Sequence, residues 1–324
     1  MKLTVGLPST EDYLPFLRAG ADEVFFGAYP TCWQPNFGGR TPINRREVLA
    51  GGAQIGGEAE LRRLAALVKE YRMPAVLALN APSYPPQQYP SLAEFARHCL
   101  LLGLNRMILA DPGLILYFSR QLHPFPEVHL SGEFGELNPI LLRQLAGQGV
   151  RRVIFHRQVS PEEMDLCLRE SGLPEAEAFL LNEKCHFHGA YCSSLHCDEM
   201  AALCRLPFRL SGPQSRPLSA EAAEVQALGE SGCGLCALWQ LQAVGISHLK
   251  IAGRGGSREA LLRDLKAGRT ALDLLASSRC EAEYISAMKN RLFPDGCSRC
   301  CYYPIPGSQE PIRTHKTIEK TIFS

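Results

Sequence analysis

The chain reads as an α/β protein: a (βα)8 barrel of the TIM type, regular or distorted, with a long cysteine-rich insertion between its seventh and eighth strands. Three observations carry that expectation. Eight short aliphatic or β-branched runs alternate with amphipathic helical stretches along 324 residues. The helices carry their own start and stop residues. No Gly-x-Gly-x-x-Gly follows the first run, which weighs against the alternative of an open, doubly wound sheet built to bind dinucleotides.

The strand candidates are Leu3–Leu7, Glu23–Phe26, Ala75–Leu79, Arg106–Leu109, Glu127–Leu130, Arg152–Phe155, Ala178–Leu181 and His248–Ile251. Most are little broken by polar residues, as strands covered on both faces should be. Between them, Ser91-Leu92-Ala93-Glu94 has the form of a capping box, and Asn138-Pro139 and Ser160-Pro161 each set a cap before a proline. Leu61, Leu64, Leu67, Val68 and Tyr71 form one apolar stripe. Gly20, Gly103, Gly149 and Gly245 stand where helices end before the next strand. Eight right-handed βα units return each strand beside its predecessor and close a barrel. The expected organisation is a barrel over residues 1–278, with the insertion 182–247 inside it, then a cysteine-containing extension over 279–324.

Composition narrows the function. A 46% hydrophobic content allows a large core, and a net charge of +1 supplies no overall basic field for nucleic acid, so RNA is not favoured as a partner. No apolar run reaches the length of a membrane span. The first eight residues lack the apolar stretch of a secretory signal, so cytoplasm is the expected compartment. Nothing resembles a Ser–His–Asp arrangement, and no His-Glu-x-x-His occurs.

Thirteen cysteines are many for such a chain, and in a reducing compartment clustered thiols more often bind metal than pair. Cys99 and Cys167 fall on apolar helix faces and read as core residues. Cys185, Cys192, Cys197 and Cys204 lie within one stretch, followed by Cys233-x2-Cys236, with Cys297, Cys300 and Cys301 near the C-terminus. Such thiols suit an iron–sulfur cluster, with zinc as the alternative and buried unliganded thiols as the plain one. The C-terminal three would serve a second site, complete the first, or lie in a tail.

The two most irregular stretches, 29–57 and 182–247, would both emerge at the C-terminal mouth of a barrel, where active sites sit. Single polar residues end several strands there: Asn80, Asp111, Ser131 with Glu133, His156 with Arg157, Asn182 with Glu183, and Gly253 with Arg254. Arg157 and Arg254 suit bidentate binding of a carboxylate. Glu133, His156 and His188 are candidates for proton transfer. The plain reading of each is a salt bridge or a cap, and Asp111 before Pro112-Gly113 reads as a helix cap.

Several segments, in order, resemble the peptidase U32 family: Gly20-Ala21-Asp22-Glu23-Val24-Phe25-Phe26-Gly27, Ala110-Asp111-Pro112-Gly113, His129-Leu130-Ser131, Ser160-Pro161-Glu162-Glu163, His188-Gly189-Ala190-Tyr191-Cys192, Cys204-Arg205-Leu206-Pro207-Phe208 and Leu249-Lys250-Ile251-Ala252-Gly253-Arg254. The resemblance implies a barrel-like domain whose cysteines hold a 4Fe-4S cluster. It implies oxygen-independent hydroxylation of RNA bases or of a quinone precursor, with prephenate as the hydroxyl donor. Some such proteins work as heterodimers, and others carry the name collagenase. The cluster positions it implies are Cys192, Cys197, Cys204 and Cys236, with Cys32 a further candidate and Cys185 and Cys233 extra. The chain departs from the family pattern at Gln158, Glu133 and Ala252, where Glu, Gln and Glu are usual. The resulting expectation is a cluster-bearing hydroxyl-transfer or redox enzyme acting on a small or partner-bound substrate with a carboxylate donor. The rivals are a metallopeptidase and a non-catalytic, cluster-bearing partner in a heterodimer or homo-oligomer.

Overall fold

The computed structural model describes residues 1–37, 43–44, 54–135, 137–185, 227–253 and 257–303. Eight parallel strands close a barrel in sequence order: β1 (Lys2–Gly6), β2 (Glu23–Phe26), β3 (Ala75–Leu79), β4 (Arg106–Leu109), β5 (Glu127–Leu130), β6 (Val150–Ile154), β7 (Glu175–Leu181) and β8 (His248–Ile251). Val5 pairs with Val24 on one side and Ile251 on the other, so β1 closes the ring against β8 and the open-sheet alternative is excluded. The helices are α1 (Tyr13–Arg18), α2 (Trp33–Phe37), α3 (Gly57–Tyr71), α4 (Tyr89–Leu101), α5 (Pro112–Gln121), α6 (Pro139–Gly147), α7 (Pro161–Ser171), α8 (Leu238–Ala243), α9 (Arg258–Ser277) and α10 (Glu281–Leu292). Among the described residues, no helix is long and apolar enough to cross a membrane.

Local chemistry sets most boundaries. Asn138 accepts from the Leu141 amide, and Ser160 with Glu163 forms a complete capping box. Asp111 caps α5 through the Gly113 and Leu114 amides. Gly20, Gly103, Gly149 and Gly245 all take positive φ. Two expectations are corrected. The box at Ser91–Glu94 does not form: the 3-10 turn Pro86–Gln88 runs straight into α4, so the helix starts at Tyr89 and Ser91 lies within it. Tyr71, at the last position of α3, is 41% exposed rather than part of the buried stripe. Helix α8 lies within the stretch 182–247.

The interior holds a surprise. Side chains from seven of the eight strands meet inside the barrel as an ionic network centred on Arg152, which is fully buried. Arg152 Nη1 donates to Glu23 Oε1 (2.5 Å) and Glu177 Oε2 (3.1 Å), and Nε donates to Glu175 Oε2 (2.9 Å). Lys250 Nζ lies 2.8 Å from Glu177 Oε1, and Arg106 Nη1 3.0 Å from Glu23 Oε2. Thr4 donates to Glu23, and His129 Nε2 donates to Glu127. Glu23, Arg106, Glu127, Glu175 and His248 are each the first residue of a strand, and Thr4, His129, Arg152, Glu177 and Lys250 the third. The charged layer therefore lies toward the N-terminal end, where barrel residues serve stability rather than chemistry. Arg152 Nη2 donates to His248 Nε2 (3.0 Å), which leaves the His248 proton on Nδ1, facing Ser247 Oγ (2.8 Å).

Removing Arg152 leaves buried Glu23 and Glu177 with one cationic partner each, Arg106 and Lys250, for two carboxylates that shared three cations. Arg152→Met should therefore cost about 3 kcal/mol in urea unfolding. An unchanged midpoint would contradict the hub role. Acid sensitivity follows from the same network. Burial, with Arg152 adding to it, lowers His248 to about 4. The unfolded chain therefore binds a proton that the folded chain refuses below about 6.5. Burial alone would raise Glu177, but Lys250 and Arg152 hold it near 2; the His129 hydrogen bond holds Glu127 near 2 as well. Stability should fall as pH drops from about 6.5 to 4 through His248, then further from about 4.5 to 2 through the two glutamates. Urea midpoints at pH 7.5, 5.5 and 3.5 check this; a flat profile would contradict it.

Candidate functional site

At the C-terminal end of β7 the chain leaves the barrel through two consecutive left-handed residues, Asn182 (φ 72°) and Glu183 (φ 56°). Asn tolerates that conformation; Glu does so at a cost. Asn182 is anchored by Nδ2 donating to Asp264 Oδ2 (2.7 Å). The segment 231–234 then returns antiparallel to the end of β7, with the Asn182 amide on Gly232 O (3.0 Å) and the Gly234 amide on Leu180 O (2.7 Å). Its other edge pairs with the C-terminal segment: the Cys233 amide donates to Cys300 O and the Tyr302 amide to Cys233 O, both at 2.9 Å. Cys233 is thus the middle rung between β7 and residues 300–302.

This pairing gathers thiols from distant stretches. Cys233, Cys236, Cys297, Cys300 and Cys301 line one pocket of about 370 Å³, with Phe293 and Tyr303 in its wall. Burial pushes the Cys233 thiol up to about 12 and Cys236 to about 11; the nearby Cys297 and Cys301 add to both, while Lys289 opposes the rise at Cys236. Burial also raises Cys301, and Cys297 adds to it. A bound cation would reverse that balance and draw thiolates from the group.

Beside the pocket lies Arg157, just beyond β6 and 7% exposed. Its guanidinium stacks 3.7 Å over the Phe179 ring, and Nη2 stands 3.6 Å from Glu183 Oε2. The buried Nε has no hydrogen-bond partner among the described residues. Tyr303 donates to Phe179 O (2.9 Å) and Tyr302 to Asn182 O, so two tyrosines stand at the Arg157 side of the thiols. Neighbouring His156 is 3% exposed, and its Nδ1 accepts from the Gln158 amide (3.4 Å), which leaves Nε2 to carry the proton in the neutral ring. Glu133 sits on the turn after β5, its amide on Ser131 Oγ (3.1 Å), and Asn80 donates to the same oxygen (3.4 Å).

Of the residues singled out from the sequence, Glu133, His156 and Arg157 are described just beyond the C-terminal ends of β5 and β6, and Cys236 is described in the turn that leads into α8. His188, Cys192, Cys197, Cys204 and Arg254 lie outside the described residues. Asp111 is a cap that also accepts from the Tyr84 amide (2.8 Å) and Tyr89 hydroxyl (3.0 Å). Cys99 and Cys167 are buried in the core, Cys32 is exposed and Cys185 half-buried. Tyr302, Tyr303 and Lys289 were not anticipated. A second possible donor set, Glu23, His129 and Glu177, has ligand atoms within 4.8 Å of one another. Arg152 and Lys250 already neutralise its carboxylates, so it serves the ionic core.

Gly232 (φ +147°) is required here: a Cβ would meet Tyr302 Cε1 at 2.5 Å, in a ring pinned by its own hydroxyl. Gly232→Ala should therefore dislodge residues 297–303 at a cost of about 1–3 kcal/mol. Faster tryptic cleavage at Arg299, with the barrel intact by circular dichroism, would report it; unchanged cleavage would argue against the close packing.

The profile of peptidase family U32 matches residues 9–309. No curated protein matches the chain. Among solved structures, the U32 peptidase Mk0906 is similar at 12% identity and TM-score 0.42, over 56% of this chain and 69% of that one. A candidate dihydrodipicolinate synthetase from Pseudomonas aeruginosa aligns at 8% identity and TM-score 0.50, over 90% and 81%. Phosphoribosyl anthranilate isomerase from Thermus thermophilus aligns at 16% identity and TM-score 0.45, over 84% and 100%. Of these, the synthetase alignment speaks to the barrel fold and to nothing finer.

Proposed function

The chain belongs to peptidase family U32, and from that premise we propose that it is an iron–sulfur enzyme that transfers a hydroxyl group without oxygen at the barrel mouth. The observation that carries this reading is the convergence of thiols at the end of β7 beside a buried arginine with an unused donor. Replacing C–H by C–OH removes two electrons from the substrate. A donor that exchanges its own C–OH for C–H takes them up, so the net change is ArH + ROH → ArOH + RH.

The donor set fits a cluster in kind, because the pocket offers soft thiols in number. When bound, a cluster ligated throughout by protein thiolates would relay electrons. The chain's own residues do the rest. Arg157 binds a carboxylate of the donor, prephenate being the first to test, and Phe179 holds the guanidinium plane. Arg254 is its proposed second anchor. His156, with its proton on Nε2, and Glu133 exchange protons with the donor and substrate hydroxyls, with His188 as a further candidate. Tyr302 and Tyr303 keep water from the space between Arg157 and the thiols.

The test uses anaerobically prepared full-length protein, prephenate with an 18O hydroxyl, and a quinone precursor or RNA as acceptor. Product carrying 18O under argon supports the reading. Unlabelled product would remove prephenate as the hydroxyl donor, and zinc-dependent cleavage of casein would replace the reading with a hydrolase. Loss of the Arg157 contact should lower kcat/KM for the donor about 10- to 100-fold in Arg157→Ala, mainly through KM. An unchanged KM for every carboxylate donor would remove Arg157 from the site.

A further inference from the structure

The C-terminal residues do more than cover the barrel. Cys233-x2-Cys236 occupies the turn leading into α8, a spacing that lets two thiols face one centre. Cys297 and Cys301 come from the far side of α10, in a segment tied to that turn at several independent points. The two backbone hydrogen bonds around Cys233 are one tie. The Tyr284 hydroxyl donates to Leu235 O (2.6 Å), fixing α10 onto the turn, and Ser298 Oγ donates to Gly229 O (2.9 Å). So many ties for one short stretch make its thiols part of a built site rather than a tail. Histidine and carboxylate side chains are not in the pocket lining among the described residues, so the donors are soft sulfur throughout. Lys289 acts on both Cys236 and Cys301, and Lys184 on Cys301, supplying positive charge beside a group that becomes anionic on binding metal. All five thiols line this pocket, and Cys300 also holds the Cys233 amide through its carbonyl, so a four-ligand centre leaves one thiol over.

We propose that Cys233, Cys236, Cys297 and Cys301 are the four ligands of one metal centre, and that the C-terminal segment 297–303 closes it. This ligand set shares only Cys236 with the one implied by the family resemblance. The occupant is a thiophilic metal; that it is an iron–sulfur cluster rests on the function proposed above. With four thiolates in place it has no open coordination position, which assigns it electron transfer or structural closure rather than substrate activation.

The full chain, purified anaerobically, is analysed for iron, acid-labile sulfide and zinc. Cys297→Ser and Cys301→Ser should each release the metal at about tenfold lower chelator concentration or lose it outright. Cys192→Ser and Cys204→Ser should retain it. A second measurement needs no variant. In metal-loaded wild type, iodoacetamide should label exposed Cys32 and Cys280 and spare the four ligands until chelation exposes them. The proposal is overturned if the four label as fast as Cys280 in the loaded chain. It is also overturned if they are found in disulfide bonds, or if the metal depends on Cys192 and Cys204 instead. Zinc lost in the Cys297→Ser and Cys301→Ser variants would uphold the site and sink the iron–sulfur reading of function, so the two failures are distinct.

Discussion

Arg152 holds the barrel together from within. Its guanidinium reaches across from β6 to Glu23 on β2 and engages Glu175 and Glu177 on β7 and His248 on β8. A buried ion network is a poor source of net stability compared with packed hydrocarbon, because desolvation offsets most of the attraction. What it supplies is register: a strand that slipped by one residue would turn its charge out of the barrel and into the helix layer. The network lies toward the N-terminal end, leaving the C-terminal end to be built from Phe179, Arg157 and the thiol-bearing segments.

That end depends on backbone pairing outside the barrel. Cys233 bridges Leu181 of β7 and Cys301. The barrel wall therefore continues through residues 231–234 to the C-terminal segment. Arg157 feels the same assembly, because Phe179 beneath it accepts, through its carbonyl, the hydroxyl of Tyr303. Tyr303, which lines the thiol pocket, is thereby tied to the residue that carries the Arg157 guanidinium.

Much of this was legible in the residues. Strand periodicity, the Asn138 and Ser160 caps and the four helix-ending glycines are short-range signals, and the closed barrel followed from counting βα units. The starts of β6 and β7 were less clear: the sixth strand was read from Arg152 rather than Val150, and Glu175 and Glu177 look like loop residues although they point into a charged interior. Their alternation with Ala176 and Ala178, and that of His248 with Lys250, was the available clue: polar at every second position, with apolar partners facing the helices. Arg157, His156 and Glu133 were legible as strand-end polar residues. The meeting of Cys233 and Cys236 with Cys297 and Cys301 was not, since a pairing across sixty-odd residues depends on the packing of α10 and leaves no local trace.

The most direct test is anomalous X-ray scattering at the iron edge from crystals of the anaerobically prepared protein. The account requires one strong peak enclosed by the sulfurs of Cys233, Cys236, Cys297 and Cys301, next to Tyr303. A peak among Cys192, Cys197 and Cys204 that leaves the C-terminal thiols unliganded, or no peak in a chain that retains activity, would contradict it.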